Sequence, residues 1–214
     1  TMAELLDALT TGADVSGIAG LAYKQEGAVR VNEWRTPLDP DELGLPARDL
    51  LSLTFYEDAH NVLTARGGCP YRCPFCSASQ IWSGHHRPRD PGAVVDELEV
   101  LIRTYGASHV FFVDDIFTLR PAWIAQLLTE MERLGGRFTW ACGTRVDRVD
   151  QEMLQAMAAH GCTGIQFGVE SGSQVVLDSV KGIDKDAALA AVRWAVAAGI
   201  TTTSSFMVPL PVDT

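Results

Sequence analysis

From about residue 60 onward the chain repeats one unit: a short apolar run, a polar end, and an amphipathic stretch closed by glycine. The runs are 61–65, 109–113, 137–142, 164–169 and 201–208, rich in β-branched and aromatic residues. Near-continuous apolar runs of this kind predict strands buried on both faces. Helices fill the intervals. Asp90 followed by Pro91 predicts a cap and a first helical residue, with Val94, Val95, Leu98, Leu101 and Ile102 as the buried stripe and Gly106 as the stop. Pro121 opens a second helix, with Ile124, Leu127, Leu128 and Met131 on one face and Gly135 past its end. Asp150 caps a third, with Met153, Leu154 and Met157 inward and Gly161 at its stop. Asp184 caps a fourth, alanine-rich helix that runs to Gly199. Strands alternating with helices at a period of roughly 30 residues predict βαβ units and a parallel α/β sheet.

Right-handed crossovers place all the strand C-termini on one edge. Four polar clusters follow the runs: the cysteines after residue 65, Asp114-Asp115, Thr144-Arg145 and Glu170-Ser171. They are therefore expected to converge on one mouth, where α/β folds bind ligands. The first cluster is Cys69-Pro70-Tyr71-Arg72-Cys73-Pro74-Phe75-Cys76, a C-x3-C-x2-C spacing. Three thiolates this close can hold three corners of a metal cluster and leave a fourth position open. An open metal position suggests chemistry, whereas a closed four-cysteine site suggests scaffolding.

Composition narrows the rest. The net charge of −10 over 214 residues argues against a global basic stripe, and so against nucleic acid as a partner. Lysine is scarce, at Lys24, Lys181 and Lys185. No apolar run approaches the ~20 residues that span a bilayer, and the first residues are acidic where a secretion signal is basic. Five cysteines, three of them clustered, do not make a disulfide framework. They predict a reducing, cytoplasmic compartment and a metal site, with Cys142 and Cys162 as small buried hydrophobes. The first 50 residues are loop-rich, with one hairpin expected within 18–32. They read as the end of an upstream domain plus a linker (1–52), ahead of a core domain at 53–214.

The cysteine spacing directly after a first strand, with aromatic Phe75 before the last cysteine, resembles the signature of the radical S-adenosylmethionine (SAM) enzymes. The strings Phe111-Phe112-Val113-Asp114-Asp115-Ile116-Phe117, Thr144-Arg145-Val146-Asp147 and Phe167-Gly168-Val169-Glu170-Ser171-Gly172-Ser173 resemble the branch that carries an N-terminal cobalamin-binding domain. So do Gly17-Ile18-Ala19-Gly20-Leu21-Ala22-Tyr23 and Leu45-Pro46-Ala47-Arg48-Asp49-Leu50-Leu51, which are similar to that branch's junction between cobalamin domain and barrel. The resemblance implies a partial (β/α) TIM-like barrel of about five βα units. It implies that the chain begins at the end of a cobalamin domain and stops after the fifth strand. It further implies a [4Fe–4S] cluster on Cys69, Cys73 and Cys76, with SAM chelating the open iron. One electron, from a donor such as flavodoxin or ferredoxin, would then cleave SAM to methionine and a 5′-deoxyadenosyl radical. In the cobalamin branch the most plausible outcome is methylation of an unactivated carbon of a small molecule or peptide.

The same resemblance distributes roles around the mouth. Asp114 and Asp115 would hold the methionyl ammonium, as carboxylates suit a cation. Glu170 and Ser171 would contact the ribose hydroxyls. Arg145 would pair with the SAM carboxylate, or else bridge Asp147 or Asp115. Phe75 would pack beside the adenine or the cluster, or serve only loop packing. One departure stands out. The family often carries G-x-P-G-E-T at the fifth strand, whereas here the residues are Pro209-Leu210-Pro211-Val212-Asp213-Thr214. The missing glycines put close backbone approach to adenine in doubt. Three alternatives stay open: a cobalamin-independent radical SAM enzyme, a homologue that keeps the cluster without turnover, and a structural zinc module using the cysteines with His85 or His86.

Overall fold

The computed structural model describes residues 1–52, 60–65, 67–81, 84–136 and 138–210. Two compact units divide at Asp39 and Pro40. The expected boundary at 52/53 abuts residues 53–59, outside the described residues, as do 211–214 of the departing fifth-strand string. The first unit contains a helix, α1 (Met2–Thr11), and a two-stranded antiparallel hairpin, β1 (Ala22–Gln25) and β2 (Ala28–Val31). Glu26 and Gly27 both have positive φ, the backbone of the two-residue turn whose twist matches a hairpin. The hairpin is where the sequence places it. The helix is not expected from the sequence: its stripe buries only Ala8 and leaves Leu6 and Leu9 exposed.

The second unit holds β3 (His60–Val62), α2 (Ala78–Ile81), α3 (Pro91–Tyr105), β4 (His109–Phe112), α4 (Pro121–Met131), β5 (Thr139–Thr144), α5 (Gln151–Ala159), β6 (Cys162–Glu170), α6 (Gln174–Val180), α7 (Lys185–Ala197) and β7 (Thr201–Phe206). The five strands from β3 to β7 form one parallel sheet in chain order. That order matters. A doubly wound sheet reverses direction once, whereas an unbroken order moves every crossover the same way. Right-handed crossovers then lay the helices on one face, as in a βα barrel. Accordingly α3 packs on α4, α4 on α5 and α5 on α7.

The capping signals work locally as their chemistry predicts. Asp90 accepts from the Ala93 amide, Asp150 from Met153 and Asp184 from Ala187. The stripes of α3 and α4 fill the core with Val94, Leu98, Leu101, Ile124 and Leu127. They meet an aromatic group on the sheet, in which Phe112 and Phe117 stack at 4.8 Å and Trp140 meets Phe112 edge-on at 5.4 Å. Among the described residues no helix is long and apolar enough to cross a membrane.

The strands differ from expectation in one physical respect. They are not buried on both faces. In β5, Trp140, Cys142 and Thr144 are buried while Thr139, Ala141 and Gly143 are not. One layer of helices covers one face only, so the burial alternates with the pleat. Strand ends shift too. The first strand stops at Val62 rather than residue 65, because the Thr64 and Ala65 amides turn to a side chain, Asp114. The third starts two residues later than 137 and runs to Thr144, while the fourth starts at Cys162, paired with Trp140.

One ion cluster ties this unit together. Glu97 on α3 is 2 % exposed and sits between two arginines. Arg48, from the segment before the sheet, donates to it at 2.5 Å, and Arg89 at 2.6 Å. Arg48 also donates to the Asn61 carbonyl, and Arg89 to the Leu63 carbonyl. The first strand is thus held at its middle and just past its end by two cations that share one carboxylate. Removing one partner of such a group leaves buried charge uncompensated. Glu97→Ala should therefore cost about 3–5 kcal/mol in urea unfolding of the apoprotein. A loss below about 1 kcal/mol, the scale of a surface pair, would show that the cluster does not bear on stability.

Candidate functional site

The strand ends do meet. A cavity of about 240 Å³ is lined by Cys69, Cys73 and Cys76 together with residues of β5, β6 and β7 and of the segments that follow β4, β5 and α6. The three cysteines are free thiols of intermediate exposure. Their loop turns tightly, with the Cys76 amide on the Cys73 carbonyl at 3.0 Å. It also passes close to the segment before α3. At Gly67 a side-chain carbon would lie 2.3 Å from the His85 carbonyl, and φ is +113°, so only glycine serves. Burial above all pushes the Cys69 thiol up, against the Tyr71 amide and Arg145.

Asp114 and Asp115 part company. Asp115 lines the cavity. Asp114 is buried, does not line it, and accepts from the Thr64 amide at 3.1 and 3.0 Å and from the Ala65 amide at 2.8 Å. It pins the start of the cysteine loop rather than presenting a carboxylate to a ligand. Arg145 lines the cavity as well, and it makes the bridge to Asp147 that was the second of its expected roles. It is 5 % exposed, and Nε and Nη2 form a fork onto Asp147 at 2.8 and 2.9 Å. Burial opposes its charge, and the hydrogen bonds and charge of Asp147 outweigh that, so its pKa moves up.

Glu170 lines the cavity, and its φ of +76° is rare for a residue with a side chain. Its Oε1 accepts from Lys181 Nζ at 2.7 Å, and the same ammonium donates to the Gly168 carbonyl at 2.5 Å. Gly168 is the seat of this pair: a carbon there would lie 2.6 Å from Nζ and 2.7 Å from Oε1. Ser171 does not line the cavity, for its hydroxyl accepts from the Ser173 amide in a local turn. Phe75 lines the cavity and is 40 % exposed. Sequence reasoning overlooks Lys181, which ends α6, a helix it does not anticipate. The usable signal is its rarity, as one of three lysines. It also overlooks Gln166 and Ser205, hydrogen-bonded to each other across the exposed face of β6 and β7 and lining the same cavity.

The donor set fits a cluster better than a single ion. Among the described residues no three His, Cys, Asp or Glu side chains gather as one metal ion requires. His85 and His86, which a zinc module would need beside the cysteines, do not line the cavity. The thiolates of an iron–sulfur cubane each take their own iron, so they line a cavity without meeting at a point. A buried arginine beside them suits the negative charge such a group carries.

The Asp114 pin can be tested on stability. Burial pushes its carboxyl above the ordinary value, against the Thr64 and Ala65 amides. Asp114→Ala orphans two buried N–H groups and should cost about 1–3 kcal/mol for each. With a folded-state pKa above the unfolded one, wild-type stability is lost as pH rises through the folded value. Asn has no proton to lose there. Between about pH 4 and about pH 7 the stability gap should therefore move in favour of Asp114→Asn. Urea unfolding at the two pH values checks this, and a constant gap would contradict it.

Comparison with known proteins agrees with the geometry. Residues 65–214 match the Radical SAM superfamily. The whole chain aligns with 48 % of an uncharacterized methyltransferase of Pyrococcus horikoshii at 34 % identity. Among solved structures, the cobalamin-dependent SAM radical enzyme OxsB, with aqua-cobalamin and SAM bound, superposes with a TM-score of 0.83 at 23 % identity, covering 97 % of this chain and 32 % of that one. The radical SAM methyltransferase TsrM from Kitasatospora setae, with tryptophan and a SAM analogue, gives 0.83 at 22 % identity, covering 100 % and 45 %. The chain thus spans about half the archaeal relative and a third of OxsB. At these identities the solved structures show the shared fold, a partial TIM-like barrel. With the cysteine loop, the sheet order and the family match in agreement, the chain belongs to the Radical SAM superfamily.

Proposed function

We propose that this chain is the catalytic part of a cobalamin-dependent radical SAM methyltransferase acting on an unactivated carbon. The observation that carries the reading is the meeting of Cys69, Cys73 and Cys76 with charged groups from three strand ends around one cavity. The methyltransferase and cobalamin elements rest on the archaeal relative and on the fold shared with OxsB and TsrM. The cysteines would ligate three irons of a [4Fe–4S] cluster. When bound and reduced, that cluster would supply the electron that cleaves SAM to methionine and a 5′-deoxyadenosyl radical.

The chain's own residues would position SAM and shield it from water. Asp115, which lines the cavity while Asp114 holds backbone amides, would take the methionyl ammonium. Glu170 lies where ribose hydroxyls need an acceptor. Lys181 donates two of its three N–H groups to Glu170 and Gly168, and the third suits the SAM carboxylate. That assignment replaces Arg145, whose fork Asp147 occupies. Phe75 would pack on the adenine or the cluster. Gly143 and Ser205, which are small, and Gln166, which is polar, leave the open sheet face free for a ligand. The electron would come from a flavodoxin or ferredoxin in a cytoplasmic setting, and the substrate would be a small molecule or peptide.

Anaerobic reconstitution of the full-length protein tests this. The expected result is about four iron and four sulfide per chain, bound cobalamin, and 5′-deoxyadenosine plus methylated product on reduction with SAM and substrate. Cys73→Ala should lose the cluster and all 5′-deoxyadenosine while keeping its far-ultraviolet circular dichroism. Stoichiometric zinc without colour would overturn the reading, and 5′-deoxyadenosine without cobalamin binding would favour a cobalamin-independent enzyme.

A further inference from the structure

We propose that Arg145 is a positioning residue that raises the reduction potential of the cluster through the thiolate of Cys73. The proposal rests on the functional reading above, because it concerns the cluster that reading assigns. Arg145 follows β5 and lines the cavity, and four of its five N–H groups have partners within the chain. Nε and Nη2 face Asp147. Nη2 also donates to the Lys181 carbonyl at 3.3 Å. The plane lies over the Tyr71 ring, with Cζ 3.8 Å from the centroid. Nη1 reaches Cys73 Sγ at 3.8 Å, within hydrogen-bonding range of sulfur.

The geometry separates two roles. A residue that clamps the SAM carboxylate needs two parallel N–H groups free for it, whereas four of the five here go to Asp147, to a backbone carbonyl and to a cysteine, so no more than one remains. Tyr71 lies between Cys69 and Cys73, so the stack joins the cation to the loop that carries the cluster. Asp147 fixes the fork, and burial keeps water from screening the charge. The guanidinium is therefore held at one distance from the Cys73 sulfur.

The consequence is redox. Reduction adds one electron to the cluster, from a low-potential donor of the flavodoxin or ferredoxin class, and no bond to Cys73 forms or breaks. The cluster and its thiolates become one unit more negative. Asp147 offsets part of the guanidinium's charge, so the lever is the N–H···S bond, which stabilises the reduced form more than the oxidised form and raises the potential; hydrogen bonds to cluster sulfurs are an established lever on it. Arg145 makes the electron easier to accept and leaves SAM chelation to other groups.

Potentiometric titration of the reconstituted full-length protein, followed by electron paramagnetic resonance of the reduced cluster, tests this. Arg145→Met should keep the iron and shift the midpoint to more negative potential by at least tenfold in the reduction equilibrium, 59 mV for a one-electron couple. Arg145→Lys keeps a charge but cannot hold Asp147 and reach Cys73 together, and should shift it the same way by less. SAM affinity, measured by equilibrium dialysis, should stay near wild type in both. If Arg145→Met takes up no iron, Arg145→Lys decides by the same criterion. A loaded variant with the wild-type midpoint overturns the proposal, all the more if its SAM affinity collapses. A wild-type protein that takes up no cluster overturns the functional reading instead.

Discussion

The cysteine loop depends on a buried carboxylate that does not line the cavity. Asp114 takes the amides of Thr64 and Ala65, the two residues that carry the chain out of the first sheet strand. Those amides would otherwise continue a ladder to the neighbouring strand. By capturing them, Asp114 ends the strand and turns the chain into the loop at a fixed point. Glu97 acts one layer below, holding Arg48 and Arg89 so that they grip the carbonyls of Asn61 and Leu63. Two buried carboxylates thus set where three thiols begin. Both are anions deep in an acidic chain, and both are tolerable only because amides or guanidinium groups surround them.

The sheet order supplies the other wall. Five parallel strands in chain order carry their helices on one side, which leaves a face of small and polar residues on the other. Gly143, Gln166, Gly168 and Ser205 on that face are poor core formers. They make sense as the floor of a site whose bulk is brought by a ligand. The charges rise from the strand ends around it, where crossovers of one hand must deliver them.

Much of this was legible in the chain. The caps at Asp90, Asp150 and Asp184 announce themselves because a short acceptor before a helical stripe has one economical use. The apolar runs reveal five strands because buried sheet residues have few substitutes. The cysteine spacing reveals the site because little else requires three thiols so close. What the sequence did not yield were choices between equivalent groups. Nothing in Asp114-Asp115 says which carboxylate turns inward; the pleat and the position of the Thr64 amide decide it. Nothing in Thr144-Arg145-Val146-Asp147 says whether the guanidinium reaches a ligand or folds back two residues. Lys181 was invisible for a related reason. It sits eleven residues past its partner, and only the short helix α6 brings it back to Glu170.

Gly168 has a consequence beyond its own strand. The lysine and glutamate pair occupies the space where any other residue would carry its first side-chain carbon. Positions 168, 170 and 181 are therefore coupled. A lineage that gains a side chain at 168 must swing the far ends of a flexible lysine and glutamate aside, and so gives up the present placement of their charges rather than the fold. A lineage that loses the pair no longer has this reason to keep the glycine, so substitutions at 168 among homologues should accompany a change in the pocket's electrostatics.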